Sequence, residues 1–531
     1  MNSRSAIYAV YKKFDRIENL LFYSVVILSV IPVFCFAFFP TLDGPAHLYN
    51  SNLIIELIKD NSHLSQIFSL NSFTIPNLTG HVILALFRFF LPAGIAEKLL
   101  LALYFAGFPV IFRKFIISIK GEAVFSWFAI PFSYSFMLYM GFYNFCIGTL
   151  FFFLALYFWF KIEKIRKRYI VILLFSLLIY YSHIVVFSIF IFNLGMLMLY
   201  SFILEICVLR QKGLKKLIIN ALLLLLVLLP SLCLAVHYIS SHSLPNRAAR
   251  IPPGELLVWI FKIRSLVAYN ISKEQQFTIP CLLLIMTLLL YPLIIKINRK
   301  AIKKESLSSV HKLPEIWLIL GLVMLFLYFF LPDEIGSGGY ISVRMNWFFF
   351  IFLIIWLSVR NFHKSLRLII VLCILFIHSG MLLYHTRMIR TLSRQAMAVS
   401  NAGKFIEPNS VVLPVSFSGP WVQKHFSNYL GMDKPLIILE NYEASTDYFP
   451  VCMNHKKLPS FYLENGGSLG LCAFLQNNGD HQRMKVDYLL ITGSAPDTSL
   501  SCNKDLLYYC RDFCSKEYSN TFVFLFKCNR P

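Results

Sequence analysis

Apolar runs, most of them roughly twenty residues long, follow one another along the first three-quarters of this chain, with short basic stretches between them. Runs of that length leave few folds open. In hydrocarbon a backbone must satisfy its own polar groups, so each run is expected to be a helix. Eleven spans are predicted, near 17–39, 95–112, 123–139, 142–160, 169–182, 184–206, 217–239, 279–296, 315–331, 345–359 and 366–385. The span at 169–182 is short and needs a tight turn after it. Composition agrees: 57% of the 531 residues are hydrophobic and 14% charged, where a soluble domain carries about 25% charge. A single water-soluble core, a disordered chain and a fibrous repeat are excluded. The fold class expected is a polytopic α-helical membrane protein.

The net charge of +22 comes from 49 Lys and Arg against 27 Asp and Glu. A basic excess can serve nucleic acid, but here the cations cluster between apolar runs, as cytoplasmic loops require. With the N-terminus inside, alternate loops hold 25 Lys and Arg, against 11 on the outer side before residue 391. The bias predicts a multi-pass protein of the plasma (inner) membrane, with no nucleic-acid partner. It has a cytoplasmic N-terminus (1–16), a transmembrane region (17–390) and an extracytoplasmic tail (391–531). The first span lacks a small-residue cleavage site after it and is expected to stay as a signal-anchor.

Three outer segments are long enough to carry function. The loop 40–94 contains Leu53–Ile58, Leu64–Leu70 and His81–Phe90, each expected to be a helix on the outer membrane surface. In the loop 240–278, Gly254–Ala268 is another such candidate, with Trp259 at home as an interfacial anchor. The tail has 13 basic and 12 acidic residues and alternates strand-like with helix-like runs. Strands are predicted at Val411–Val415, Leu436–Leu439, Val486–Thr492 and Thr521–Phe526, and helices at Phe417–Leu430 and Lys504–Lys516. Together they predict a small α/β domain. Six of the 12 cysteines (452, 472, 502, 510, 514 and 528) lie in it. In an oxidising compartment they suggest disulfides whose pairing the sequence leaves open.

Chemistry concentrates in four short stretches. Asp43, in Thr41-Leu42-Asp43-Gly44-Pro45-Ala46-His47, follows the first span directly. A carboxylate there can accept a proton from a hydroxyl or ligate a divalent cation, the only cofactor suggested. Equally, it can cap a helix His47–Ile58. His183, after Tyr180-Tyr181-Ser182, can bind phosphate or a hydroxyl, or be satisfied within the bundle. Gly338-Gly339-Tyr340-Ile341-Ser342-Val343 delivers Arg344 to the start of a span, where it suits a lipid phosphate or an ion pair with Asp333 or Glu334. Gly141-Phe142-Tyr143-Asn144-Phe145 forms a tight turn in which Asn144 is expected to satisfy backbone groups. Arg247 and Arg250 are further anion candidates. Nucleotide, dinucleotide and metalloprotease motifs are missing. Charge within the spans is sparse, which counts against an ion-coupled transporter.

This order of motifs resembles the GT-C class of integral-membrane glycosyltransferases, and within it a group of bacterial polytopic membrane proteins. The resemblance rests on Asp43-Gly44-Pro45-Ala46-His47, Gly141-Phe142-Tyr143-Asn144-Phe145, Tyr181-Ser182-His183 and Gly339-Tyr340…Arg344, and covers the span region and, loosely, the tail. It implies inverting transfer of a sugar from a polyprenyl-phosphate-linked donor to a glycan, lipid or protein acceptor at the outer face. Asp43 would be the base, Arg344 would hold the donor phosphate, and His183, His47 and Tyr340 would assist. Many members of the class carry two neighbouring acids here, whereas Asp43 stands alone. Two other functions fit the same sequence: a non-catalytic membrane scaffold, and a lipid-linked glycan flippase or polymerase.

Overall fold

The computed structural model describes residues 3–203, 214–241, 249–298, 314–334, 338–360, 362–363, 365–454, 486–493 and 501–528. Arg247, Cys472 and the basic segments 204–213, with Cys207, and 299–313 lie outside these. The protein is a polytopic helical membrane protein with a small α/β region toward its C-terminus. Among the described residues, eight helices are long and apolar enough to cross a membrane. These are Lys13–Cys35, Ala93–Ser118, Tyr143–Lys161, Ile184–Ile203, Leu217–Ser241, Ile271–Tyr291, Ile341–Ser358 and Ser365–Phe405.

The predicted spans at 169–182 and 315–331 also form helices, Ile165–Ser182 and Pro314–Phe330, at the short end of what a bilayer needs. The run at 123–139 departs from expectation. It is a 3-10 turn, Ala123–Phe128, followed by two short helices, Ala129–Ser133 and Phe136–Tyr139. Pro131 removes an amide there, and the Ser133 hydroxyl bonds back to the Ile130 carbonyl at 2.7 Å. Val124 to Met140 is buried in protein, which is where irregular backbone at membrane depth can survive.

The chain divides into two compact units. The first comprises Met1–Ile31, Ala102–Leu138 and Phe145–His385 and is helical. One buried ion pair in it is Arg113 with Glu18: Arg113 reaches both oxygens of Glu18 at 2.8 and 2.6 Å, and Trp127 Nε1 donates to the same carboxylate at 2.6 Å. The second unit comprises Pro32–Leu101, Tyr139–Asn144 and Thr386–Pro531, so the loop 40–94 and the tail fold together.

In this second unit, helix α1 (Gly44–Ile58) is buried from Gly44 to Ile55. It does not lie on a surface. Its polar residues face protein: Tyr49 donates to the Leu436 carbonyl at 2.5 Å, and Asn52 donates to the Gly431 and Lys434 carbonyls at 2.9 and 3.0 Å. The stretch Leu64–Leu70 is not a helix either. A 3-10 turn, Leu64–Gln66, leads into strand β1 (Phe68–Leu70). Helix α2 (Thr79–Arg88) buries Gly80, His81, Leu84 and Ala85, and beside it Val82, Leu86, Phe89 and Phe90 are exposed. That apolar face is what a helix at a membrane surface needs.

The tail contributes β2 (Val411–Phe417), β3 (Ile437–Ile438), β4 (Val451–Met453), β5 (Tyr488–Gly493), β6 (Cys514–Ser519) and β7 (Val523–Cys528). β4 pairs antiparallel with β1. The rest form one sheet in the order β3-β2-β5-β7-β6, with β2 parallel to β3 and β5, and β7 antiparallel to β5 and β6. Residues 417–430, expected as a helix, hold two 3-10 turns, Trp421–Gln423 and Phe426–Gly431. The helix expected at 504–516 is Ser501–Phe513, and the residues after it enter β6. Lys516 and Glu517 make that edge strand as polar as a helix surface, which hides it from periodicity.

Candidate functional site

Asp43 lies eight residues beyond Cys35, where the first spanning helix ends, and the turn that holds it is templated by a second one. Asp43 N donates to the Met140 carbonyl at 3.1 Å and Leu42 N to the Tyr139 carbonyl at 3.0 Å. Gly141, at φ +79°, makes the close approach possible. A Cβ there would lie 2.6 Å from Asp43 N and 2.8 Å from Gly44 N, in a backbone region that L side chains avoid. Asn144 does what was expected of it. It accepts from Gly80 N at 2.6 Å and donates to the Asn77 carbonyl at 2.9 Å, clamping the start of α2.

The capping role for Asp43 is not realised. Helix α1 begins at Gly44, and the Asp43 side chain makes no capping hydrogen bond. The carboxylate is buried and takes a hydrogen bond from Tyr442. His425 Nε2 stands 3.9 Å from its Oδ1. Burial pushes the Asp43 pKa up to about 6, against the opposing pull of His425 and His47.

His425 is itself held. Its Nδ1 lies 2.5 Å from Glu440 Oε1, and it stacks on the Tyr442 ring at 4.5 Å. Ser427 and Asn428 each donate to Glu440 Oε2 at 2.8 Å. Burial works against charge on His425, but Glu440 outweighs it and the imidazole pKa is raised. The result is a buried line, Glu440–His425–Asp43, in which the carboxylate at one end fixes the ring that faces the carboxylate at the other.

One helical turn along α1, His47 joins a different cluster. Its Nδ1 lies 2.8 Å from Glu443 Oε1 and 2.9 Å from His81 Nε2, and His81 Nε2 lies 2.9 Å from Glu443 Oε2. Asn50 donates to Glu443 Oε2 at 2.7 Å. Burial would raise the Glu443 pKa, but the two imidazoles hold it far below the ordinary carboxylate range. These three side chains offer a metal-ligand set, with donor atoms within 4.8 Å of one another. Asp43 is not among them. A third buried acid, Glu97, accepts from Tyr143 at 2.7 Å beside Thr41, and its Oε2 has no hydrogen bond among the described residues.

Arg344, His183 and Tyr340 belong to the helical unit. Arg344 is buried, its guanidinium 5.6 Å from the centre of the Phe145 ring. His183 meets the same ring edge-on at 5.4 Å, and its Nδ1 accepts from Val185 N at 3.1 Å. Tyr340 starts helix Ile341–Ser358 in the left-handed region, at φ +59°, against Phe136. Asp333, expected as a partner for Arg344, accepts from Ser342 N at 2.9 Å and so caps that helix. Arg250 is exposed.

Sequence reasoning singled out Asp43 and His47 and noted Glu97 only as a charge near a span end; it did not single out His81, His425, Glu440, Tyr442 or Glu443, which the structure places around them. The signal available was Glu440-Asn441-Tyr442-Glu443, an acidic knot directly after a strand in an otherwise balanced tail. No family model matches the sequence, and no curated protein does. Among solved structures, the chain is similar to the crystal structure of ArnT from Cupriavidus metallidurans bound to undecaprenyl phosphate, at 9% identity over 96% of this chain and 97% of that one, with a TM-score of 0.48.

Proposed function

We propose that this protein is a membrane glycosyltransferase of the GT-C type, moving a sugar from a polyprenyl-phosphate-linked donor to an acceptor hydroxyl at the outer face of the membrane. The observation that carries the reading is the buried Asp43 carboxylate, which caps no helix and is faced by His425. With its pKa raised to about 6, it is ionised at neutral pH yet basic enough to take a proton. In this reading the acceptor hydroxyl gives its proton to Asp43 while its oxygen attacks the anomeric carbon. The bond from that carbon to the phosphate oxygen breaks, and the polyprenyl phosphate leaves with the electron pair. A single displacement inverts the anomeric centre and needs one base, not the two carboxyl groups of a hydrolase.

Arg344 takes the donor phosphate in this scheme, a role that suits a buried guanidinium. His183 and Tyr340 assist it. The positive-inside bias supports an outward-facing Asp43, with the N-terminus cytoplasmic and the tail extracytoplasmic in a bacterial inner membrane. The test is release of polyprenyl phosphate from a panel of polyprenyl-phosphate sugars by the purified protein. Turnover that disappears in Asp43→Asn establishes the transferase. Donor binding without turnover across donors and acceptors would instead indicate the scaffold, and absence of donor binding would sink the lipid-linked reading.

A further inference from the structure

His47, His81 and Glu443 come from three separated stretches, and their protons can be counted. His47 Nε2 lies 2.8 Å from the Gly141 carbonyl oxygen, and His81 Nδ1 lies 3.2 Å from that of Asn77. A carbonyl oxygen only accepts, so each of these nitrogens carries its ring hydrogen. The other two nitrogens, His47 Nδ1 and His81 Nε2, are left as lone pairs. They point at each other across 2.9 Å and at the two Glu443 oxygens across 2.8 and 2.9 Å.

Three edges therefore join atoms that all accept. One added proton lies between one pair of them and leaves an edge of facing lone pairs. Two added protons, one on each ring, set two N–H donors against each other across the 2.9 Å between His47 Nδ1 and His81 Nε2, where the side chains are between 0% and 4% exposed. A single divalent cation satisfies all three edges at once.

We propose that His47, His81 and Glu443 form a binding site for a divalent transition-metal ion of the zinc type. Two imidazoles and a carboxylate are the ligands such an ion prefers. Each ring donates its far N–H to a backbone carbonyl, the outer-shell contact that orients a ligating histidine. Asn144 fixes this shell by gripping both Gly80 N and the Asn77 carbonyl, and Asn50 does the same for Glu443. With bonds of about 2.0–2.1 Å in tetrahedral geometry, ligand atoms sit about 3.3 Å apart, so the cluster widens by a few tenths of an ångström to take the ion. An ion so held links α1 and α2 of the outer loop to the segment after β3. The site stands independently of Asp43 acting as a base.

The experiment uses the full-length protein in detergent, stripped with a chelator and titrated with Zn²⁺ and Co²⁺. One ion per chain is expected. The zinc-edge X-ray absorption of the wild type should show two imidazole nitrogens and a carboxylate oxygen at about 2.0–2.1 Å. The Co²⁺ form should give the intense visible bands of a tetrahedral site. Glu443→Gln and His81→Gln should each weaken binding about 100-fold or more, while Asp43→Asn binds as the wild type does. If both ligand variants fail to fold, the wild-type spectrum decides. No tight ion on the stripped wild type, a spectrum without imidazole, or affinity unchanged in both variants overturns the site.

Discussion

Asp43 and Glu443 are both buried carboxylates in one compact unit, yet their surroundings drive them in opposite directions. Around Glu443, two imidazole nitrogens and the Asn50 amide converge on the two oxygens, and the positive charge lodged among them, a ring proton or a bound cation, holds the acid ionised. Around Asp43, the facing imidazole stands off at 3.9 Å and is already committed to Glu440. Desolvation therefore wins, and the pKa rises to about 6. Pairs of acids pushed apart in this way are how one site supplies both a fixed charge and a group that moves protons. The helix that carries His47 starts directly after Asp43, so a single rigid element sets both environments.

The sharpest break of this comparison is to neutralise each acid at nearly constant shape. Asp43→Asn should lower turnover by about 10²–10⁴-fold, the range a general base contributes. Its stability is expected to change by less than about 1 kcal/mol at pH 8. The sign follows from the raised pKa: the ionised Asp43 is disfavoured by folding above the unfolded pKa, so removing its charge withdraws no stabilisation. Glu443→Gln should do the reverse to stability. An acid whose folded pKa is depressed stabilises above its unfolded pKa and loses that contribution only as the pH falls. Removing its charge at neutral pH leaves the histidines without their partner, a loss of about 3–5 kcal/mol for a buried pair. Thermal unfolding in detergent measures both, and equal destabilisation by the two substitutions would erase the distinction.

A smaller effect probes the scaffold the two acids share. Gly141→Ala introduces a Cβ 2.6 Å from Asp43 N at φ +79°. The left-handed conformation alone costs about 1–2 kcal/mol. The Gly141 carbonyl that receives His47 Nε2 moves with it. The variant should lose stability and turnover together, whereas Asp43→Asn loses turnover alone. A Gly141→Ala protein with wild-type melting and wild-type rate would show that this turn does not set the geometry.

Much of this was legible in the residues, and the rest was hidden for physical reasons. Most long apolar runs report helices directly, because lipid leaves an exposed backbone no alternative, and the run at 123–139 escapes the rule because it is buried in protein. Asp43 stood out because an acid directly after a span, between Leu42 and Gly44-Pro45, is unusual chemistry for an anchor. The fate of α1 was not legible. Its His47, Asn50 and Asn52 look like a solvent face, and only the fold shows that they meet the chain from Gly431 to Glu443, nearly four hundred residues later. The same long range hid His81, His425 and Glu443, since two acceptors become a cluster only when a third arrives. The disulfides expected of the tail are not formed among its described residues: Cys514 and Cys528 oppose each other across β6 and β7 with sulfurs 2.6 Å apart, but both are free thiols, as are Cys452 and Cys510.

The finest test acts on the charge that restrains Asp43. His425, His47, Glu443 and Tyr442 are the groups acting on its carboxylate, and of these His425 lowers its pKa most. Turnover in the wild type should therefore rise with pH through about 6, as Asp43 loses its proton. His425→Asn removes the largest opposing charge while burial remains, so the rising limb should move to higher pH. At pH 8 and above, where Asp43 is again ionised, the variant should recover much of the wild-type rate. Glu440→Gln should move the limb in the same direction and less far, because it weakens the charge on His425 without removing the ring. A merely structural role for His425 predicts a uniform loss of rate with the limb unmoved. A limb that shifts in His425→Asn but not in Glu440→Gln would place the control in the ring alone, with Glu440 reduced to holding it in register.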